Sequence, residues 1–419
     1  MTEGDKQPDG YIVVRVAELA AALAAENGPA DGGAQAWADV FRLLGALMRH
    51  EGQQRLEAMH ALYDPLDPDA PVARRDLGPA AFDRFEDILI GELTRANFTE
   101  VDPESVRTAE TTKRLTGLAI KPSSAGIRRI RYFARGSRSE SFTFKSWFGL
   151  RKQEIAVEQM RDVVVLVGFK ADAEISKVDA KAFARMRRGV RPGAALVKHF
   201  RNVAAPELVT LHPGARPSMR RRDQVWLAAP AIVAGTPVLI NLWPALTVLG
   251  AVMAAYFGAQ GVIEESELKR AVAAISGLVA VGAFVMRQRL KYEAQTLRYQ
   301  KRLADTVYFR NLANNAGVID LLAGASAEQE TKEAMIAYAI LRKNAASLAK
   351  ADIDAAAESF LHERFGLQVN FEIHDALEKL ERLGLVTREG ESYMAVAPGA
   401  ALARLDSAWD DLFQFSARR

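Results

Sequence analysis

VLINLWPALTVLGAVMAAYFGAQGVI, residues 238–263, decides the fold predicted from this sequence, because it closes a run from Gln224 to Ile263 that holds no charged side chain. The run is 40 residues long, whereas a bilayer core takes a helix of roughly 20 apolar residues. It suits one span with an approach, or two spans. Pro230, Pro237 and Pro244 interrupt its first half, where each removes a helical hydrogen bond, and Ala245 to Ile263 holds no proline. A second uncharged run, Ala271 to Met286, lengthens into a span if Lys269 and Arg287 turn their charges toward the headgroups. The sequence therefore predicts a proline-broken interfacial approach over 225–236 and a two-helix transmembrane hairpin, with helices over 238–262 and 268–290.

Charge orients that hairpin. Arg216 to Asp223 carries four Arg and one Asp, Arg287 to Arg302 carries six basic residues and one Glu, and the connector Glu264 to Arg270 sets three Glu against Lys269 and Arg270. Basic flanks favour the cytoplasmic side. The expectation is thus a multi-pass integral membrane protein of a bacterial cytoplasmic membrane with both soluble regions cytoplasmic; the Ala- and Arg-rich usage points to a bacterium. The first ten residues, MTEGDKQPDG, lack the basic start and apolar core of a secretory signal, so insertion is expected to be internal. Arg220, Arg221, Arg222, Arg287, Arg289 and Lys291 are predicted to meet membrane lipid headgroups or simply to set topology. Gly250, Ala254 and Gly258, four apart, form a small-residue stripe suited to helix packing in a membrane, which leaves oligomerisation open.

Composition narrows the chemistry. The 419 residues carry 55 Lys plus Arg against 52 Asp plus Glu, a net charge of +3 that argues against a polyanion-binding tail protein. With no Cys, disulfides, thiolate catalysis and Cys-ligated metals are excluded. Around the hairpin the chain reads as an α+β multi-domain protein. Residues 1–100 form an N-terminal helical region, with helices over Val13 to Leu62 and Ala80 to Ala96. Residues 101–223 form a small α+β domain whose antiparallel sheet is built from RIRYFARG, ESFTFKSWF, MRDVVVLVGFK and ALVKHFRNV. The hairpin region is 224–290. A basic stalk and Asn-rich motif occupy 291–325. Residues 326–419 read as a winged-helix-like domain: a helix opened by the capping box Ser326 to Gln329, a second ending before Gly366, a strand at LQVNF, a helix bearing Ile373, Ala376, Leu377 and Leu380 on one face, and a hairpin turning at Glu389-Gly390.

YFRNLANNAGVIDLL, Tyr308 to Leu322, resembles the transmembrane protein 143-like family, also called domain of unknown function 3754. The resemblance continues through EQETKEAMIAYAIL and VNFEIHDALEKLERLGLV, and back through VKHFRNV and the N-terminal MHALYDPLDPD, so it covers nearly the whole chain. It implies membrane residence and no particular activity.

Chemical constellations are sparse. Glu57-Ala-Met-His60 has metal-ligand spacing on a helix, but a di-metal bundle site needs that motif twice. Ser347-Leu-Ala-Lys350 has the spacing of some acyl enzymes without a Lys-Thr-Gly partner. No catalytic, cofactor or metal residue is assigned. In the family motif, Tyr308, Arg310, Asn311, Asn314, Asn315 and Gly317 mark a hinge or a polar ligand site. The expected function is a membrane-anchored interaction or regulatory protein docking a protein partner through the winged-helix-like domain. An enzyme or lipid-handling protein at the membrane surface, and a membrane-tethered transcription regulator, are the alternatives. Nucleic acid is disfavoured because Glu372, Asp375, Glu378 and Glu381 outnumber Lys379 and Arg382 on the candidate recognition helix.

Overall fold

The computed structural model describes residues 9–27, 33–70, 79–111, 119–146, 151–186, 190–218, 247, 250, 253–254, 257–258, 265–344 and 347–413. In chain order the elements begin with α1 (Val16–Asn27), α2 (Gly33–Tyr63), α3 (Pro79–Arg95), β1 (Thr99–Glu100), α4 (Pro103–Thr111), β2 (Ala119–Lys121), β3 (Ile127–Ser146) and β4 (Arg151–Phe169). They continue with α5 (Lys177–Met186), β5 (Ala195–Ala204), β6 (Arg216–Ser218), α6 (Glu265–Arg310), β7 (Asn311–Asn314) and α7 (Ala316–Asn344). The last are β8 (Leu348–Ala349), α8 (Lys350–Phe365), α9 (Ile373–Arg382), β9 (Val386–Glu389), β10 (Ser392–Ala395) and α10 (Pro398–Asp410). They fall into two compact units, one made of 1–108, 124–208 and 310–419, the other of 109–123 and 209–309.

The first unit joins an antiparallel sheet, ordered β1-β3-β4-β5-β7, to a helical assembly. Phe82, Phe85, Leu89 and Leu93 recur at helical spacing on α3 and pack on Phe133, Val164, Leu166, Ala195 and Val197 of the sheet. A Cβ on Gly168 would sit 2.6 Å from the Phe82 ring, so only glycine lets the helix lie this close. RIRYFARG and ESFTFKSWF, predicted as two strands, share β3, which bends at Gly136 with φ +68 instead of ending there. In the helical assembly α7 is central. Its residues Ala334 to Leu341 share one core with α1, α2, α8, α9 and α10, while Val318, Ile319, Leu322 and Ala323 join the α3–sheet core. The predicted start at Ser326 is wrong: α7 opens ten residues earlier, and Ser326 is buried, its Oγ bonded to Glu92 Oε1 and Ala323 O. Beyond α7 the elements follow winged-helix order, with β8 antiparallel to β10 and β10 to β9. LQVNF is not a strand but the connection from α8 to α9.

The predicted integral membrane fold is corrected. Among the described residues no helix is long and apolar enough to cross a membrane. The second predicted span lies inside α6, a helix of 46 residues whose uncharged stretch, Ala271 to Met286, covers 16; a span needs roughly 20. The first falls mostly outside the described residues. Where it is described, Gly258 has φ +94, which no regular helix accommodates, and the chain turns at Phe257-Gly258. The multi-pass placement in a bacterial cytoplasmic membrane loses its basis. In the second unit β2 and β6 pair antiparallel, and His212 is held neutral, burial pushing its imidazole down to about 4 while Nδ1 accepts from Gly214 N at 3.0 Å.

The centre of the first unit is polar. Gln329, Glu330, Thr331, Lys332 and Glu333 are all buried within α7. Glu330 Oε2 accepts from Arg55 Nη2 at 2.8 Å, and its Oε1 faces Lys379 Nζ at 3.0 Å and Arg95 Nε at 3.7 Å. The Lys379 contact falls outside hydrogen-bond geometry and acts through charge. Removing one partner of such a buried cluster leaves the others uncompensated. Glu330→Ala is expected to destabilise the chain by about 3 kcal/mol in urea unfolding; a loss below about 1 kcal/mol would show that water reaches the three cations.

Candidate functional site

The Asn-rich motif folds as a strand. β7 pairs antiparallel with β5, setting Asn314 opposite Lys198 and Asn311 opposite Phe200, and so completes the five-stranded sheet. Asn315 follows with φ 51, a left-handed conformation that Asn tolerates better than most residues. Its backbone N–H donates to Val197 O at 2.7 Å, its Oδ1 accepts from Val197 N at 3.3 Å, and its Nδ2 donates to Asp69 Oδ2. Asn315 O accepts from Val318 N at 2.9 Å, which opens α7. One residue therefore fixes strand, turn and helix start through its backbone and side chain together. Asn314 Oδ1 accepts from Lys198 Nζ at 3.0 Å; burial draws that ammonium's pKa down, opposed by the charge of Asp69. Arg310 Nη1 and Asn311 Oδ1 are buried without a partner among the described residues. Gly317 stands in the first turn of α7. Tyr308, the motif's outermost member, is exposed in the second unit, its ring edge-on to Phe309.

The other predicted residues are not gathered at the motif. Arg220, Arg221 and Arg222 lie outside the described residues. Arg287, Arg289 and Lys291 are exposed on α6, where Arg289 pairs with Glu293 at 3.1 Å. Ala254, Gly250 and Gly258 are exposed, and a Cβ on either glycine meets nothing within 4 Å among the described residues. His60, from the lone helical metal-spacing motif, pairs with Asp320 at 2.8 Å.

The second candidate surface is α9 with the β9–β10 wing. Ile373, Ala376, Leu377 and Leu380 are buried, which turns Glu372, Glu378 and Glu381 outward. Its two cations are engaged inside the chain. Lys379 faces Glu330, and Arg382 binds Glu51 of α2 through both guanidinium nitrogens at 2.8 and 3.0 Å. On the wing Arg388 Nε donates to Gly390 O at 2.9 Å, and its guanidinium lies 5.7 Å from the Tyr393 ring centroid. Beneath α9, Glu333 accepts from Asn97 Nδ2 at 2.9 Å. Burial pushes the Glu333 carboxyl up to about 8, against that hydrogen bond and the Lys379 charge, while Glu372 and Glu330 add to the rise. Sequence inspection missed this group, since an EQETKE run reads as a solvated helix face.

Residues 160–317 match the family described as a protein of unknown function, DUF3754. The match opens in β4, takes in β5, α6 and β7, and ends on Gly317. No curated protein and no solved structure matches the chain.

Asn315→Ala is expected to cost about 2 kcal/mol in urea unfolding, from lost buried hydrogen bonds and a left-handed backbone that Ala resists, and Asn314→Ala about 1 kcal/mol or less. Either variant keeping full stability while abolishing a cellular phenotype would make the motif a ligand site. A pH scan tests Glu333. The folded chain holds its proton more tightly than the unfolded one, so the group's stabilisation is complete below the ordinary 4.5 and is lost as pH rises through about 8. Glu333→Gln should remove that decline, narrowing the stability gap between pH 5 and 8 relative to wild type; an unchanged gap would mean the carboxyl ionises normally.

Proposed function

We propose that this chain is a regulatory interaction protein whose α9 and wing dock a protein partner bearing Lys and Arg. One observation carries the reading: both cations of α9 pair with carboxylates of the chain itself, and the face left outward is acidic. A helix entering a DNA major groove needs free cations and amides beside phosphates that repel carboxylates. Glu372, Glu378 and Glu381, with Glu389 and Glu391 on the wing, present the opposite field. That field suits a basic protein surface, where complementary charge speeds and orients encounter. The transcription-regulator alternative would have to spend Lys379 on DNA at the expense of buried Glu330. Kinship with the transmembrane protein 143-like family is part of the same proposal, supported by the Asn-rich motif and carrying no activity with it.

Two measurements on the full chain test this. Fluorescence anisotropy with duplex DNA should show no salt-sensitive association. A photocrosslinking residue at position 378 should give a protein adduct in cells that Glu372→Lys together with Glu381→Lys removes. Salt-dependent DNA binding, or an adduct indifferent to those two reversals, would overturn the docking role.

A further inference from the structure

We infer that the first unit holds a binding site for a small organic phosphate in a cleft beside the bent sheet, centred on Arg161 and Arg201. The cleft has a volume of about 510 Å³, within the range of pockets that enclose small ligands rather than bare ions. Neither the family match nor the docking surface accounts for it.

The sheet builds the cleft around one arginine. β3 pairs with β4 at Arg135–Asp162 and Ser137–Met160, and β4 with β5 at Asp162–Arg201 and Met160–Val203. Both neighbouring strands are irregular where they pass Arg161. Gly136 on one side has φ +68 and Asn202 on the other φ 52. A Cβ on Gly136 would fall 2.8 Å from the Arg161 Cβ, so the bend depends on glycine. Arg138, Arg161 and Arg201 thus reach one cleft from three adjacent strands.

At the cleft wall these three cations face one lining carboxylate. The lining carboxylate is Asp9, and its oxygens are already occupied: Oδ2 accepts from Gly136 N at 2.6 Å and Ser137 N at 3.1 Å, Oδ1 from Tyr11 N at 3.3 Å. Asp9 ties the N-terminal segment to β3. Below the floor, Asp162 is shared by Arg135 Nε at 3.1 Å, His199 Nε2 at 3.2 Å and Arg201 Nε at 3.4 Å. Arg135 is itself buried between the rings of Tyr11 and Phe98, at 4.3 and 4.5 Å. Arg201 remains 55% exposed. Arg161 has no carboxylate within ion-pair distance among the described residues, and its guanidinium lies 5.5 Å from the Tyr11 ring centroid. Arg138 is tied to Glu140 and serves the rim.

The remaining wall is apolar. Tyr11 and Val13 of the N-terminal segment and Leu367 and Val369 of the α8–α9 connection line it. Two guanidinium forks suit the tetrahedral oxygens of a phosphate, and the apolar wall suits an organic body attached to it. A bare inorganic anion would leave that wall wet.

Isothermal titration of the full chain with inorganic phosphate, glucose 6-phosphate, ADP and succinate tests the inference. Saturable binding is expected for at least one of the two organic phosphates, tighter than for inorganic phosphate or succinate. Arg161→Gln and Arg201→Gln should each weaken it by about tenfold or more, and Arg298→Gln, on the exposed face of α6, should leave it unchanged. Should Arg161→Gln lower the thermal midpoint, Arg201→Gln, at a more exposed position, decides. No saturable binding of either organic phosphate, succinate binding as tight as theirs, or affinity unmoved by Arg201→Gln would each overturn the site.

Discussion

Glu330 is the residue on which the first unit depends. It sits almost wholly buried on the central helix, and the cations that balance it come from three other helices: Arg55 from α2, Arg95 from α3 and Lys379 from α9. Arg55 also binds Glu92, which reaches Ser326 one turn earlier on the same face of α7. A buried carboxylate without its cations costs several kcal/mol, and apolar packing of the same volume would serve stability as well. The cluster therefore constrains arrangement more than it adds stability: a shift of α2, α3 or α9 along α7 strands a charge in the core, whereas sliding leucines would find new holes.

The same polar run fixes the N-terminal segment. Gln329 accepts from Ile12 N at 3.1 Å and donates to Ile12 O at 3.2 Å, and Lys332 adds a donor to that carbonyl at 2.9 Å. The segment thus gains partners for a backbone that no strand satisfies. Asn97, with φ 58, reaches both Gly10 O and Glu333. Held at Gly10 and Ile12, the chain lays Tyr11 across Arg135 and brings Asp9 to β3. Polar burial in the helical core and the shape of the arginine cleft follow from one set of hydrogen bonds.

Local signals in the sequence carried over well. Glu389-Gly390 turns the wing, with Gly390 at φ 63; Gly366, at φ 66, ends α8 while its N–H donates to His362 O; and the helix expected over Ala80 to Ala96 is α3. What failed was nonlocal. Arg55 and Glu330 are separated by 275 residues, so nothing near EQETKE says that its charges are matched by distant cations, and a polar run with a capping box reads as a helix start. The Asn motif read as a hinge or a polar ligand site because Asn favours turns and helix caps. It pairs nonetheless, because β5 offers an open edge and Asn315 supplies the turn. The hairpin was inferred from missing charge, a composition signal that cannot register the turn at Gly258 or the continuity of α6 from Glu265 to Arg310.

Arginine and lysine have two fates in this unit, and the distance to a carboxylate decides between them. Arg55, Lys379 and Arg135 each find a buried acid inside the fold, and Arg382 pairs with Glu51 nearer the surface. Arg161 finds an aromatic ring instead, and Arg201 only the third share of Asp162. The outcome is a cationic cleft and an anionic helix joined by one short connection, since Leu367 and Val369 wall the cleft and α9 begins at Ile373. Asn370 lies between, its N–H donating to Asp9 O at 3.2 Å, and Phe371 N donates to Glu358 Oε1 at 3.2 Å. Fields are screened over about 8 Å at physiological salt, so each surface presents its own sign, yet both press on the same backbone hydrogen bonds.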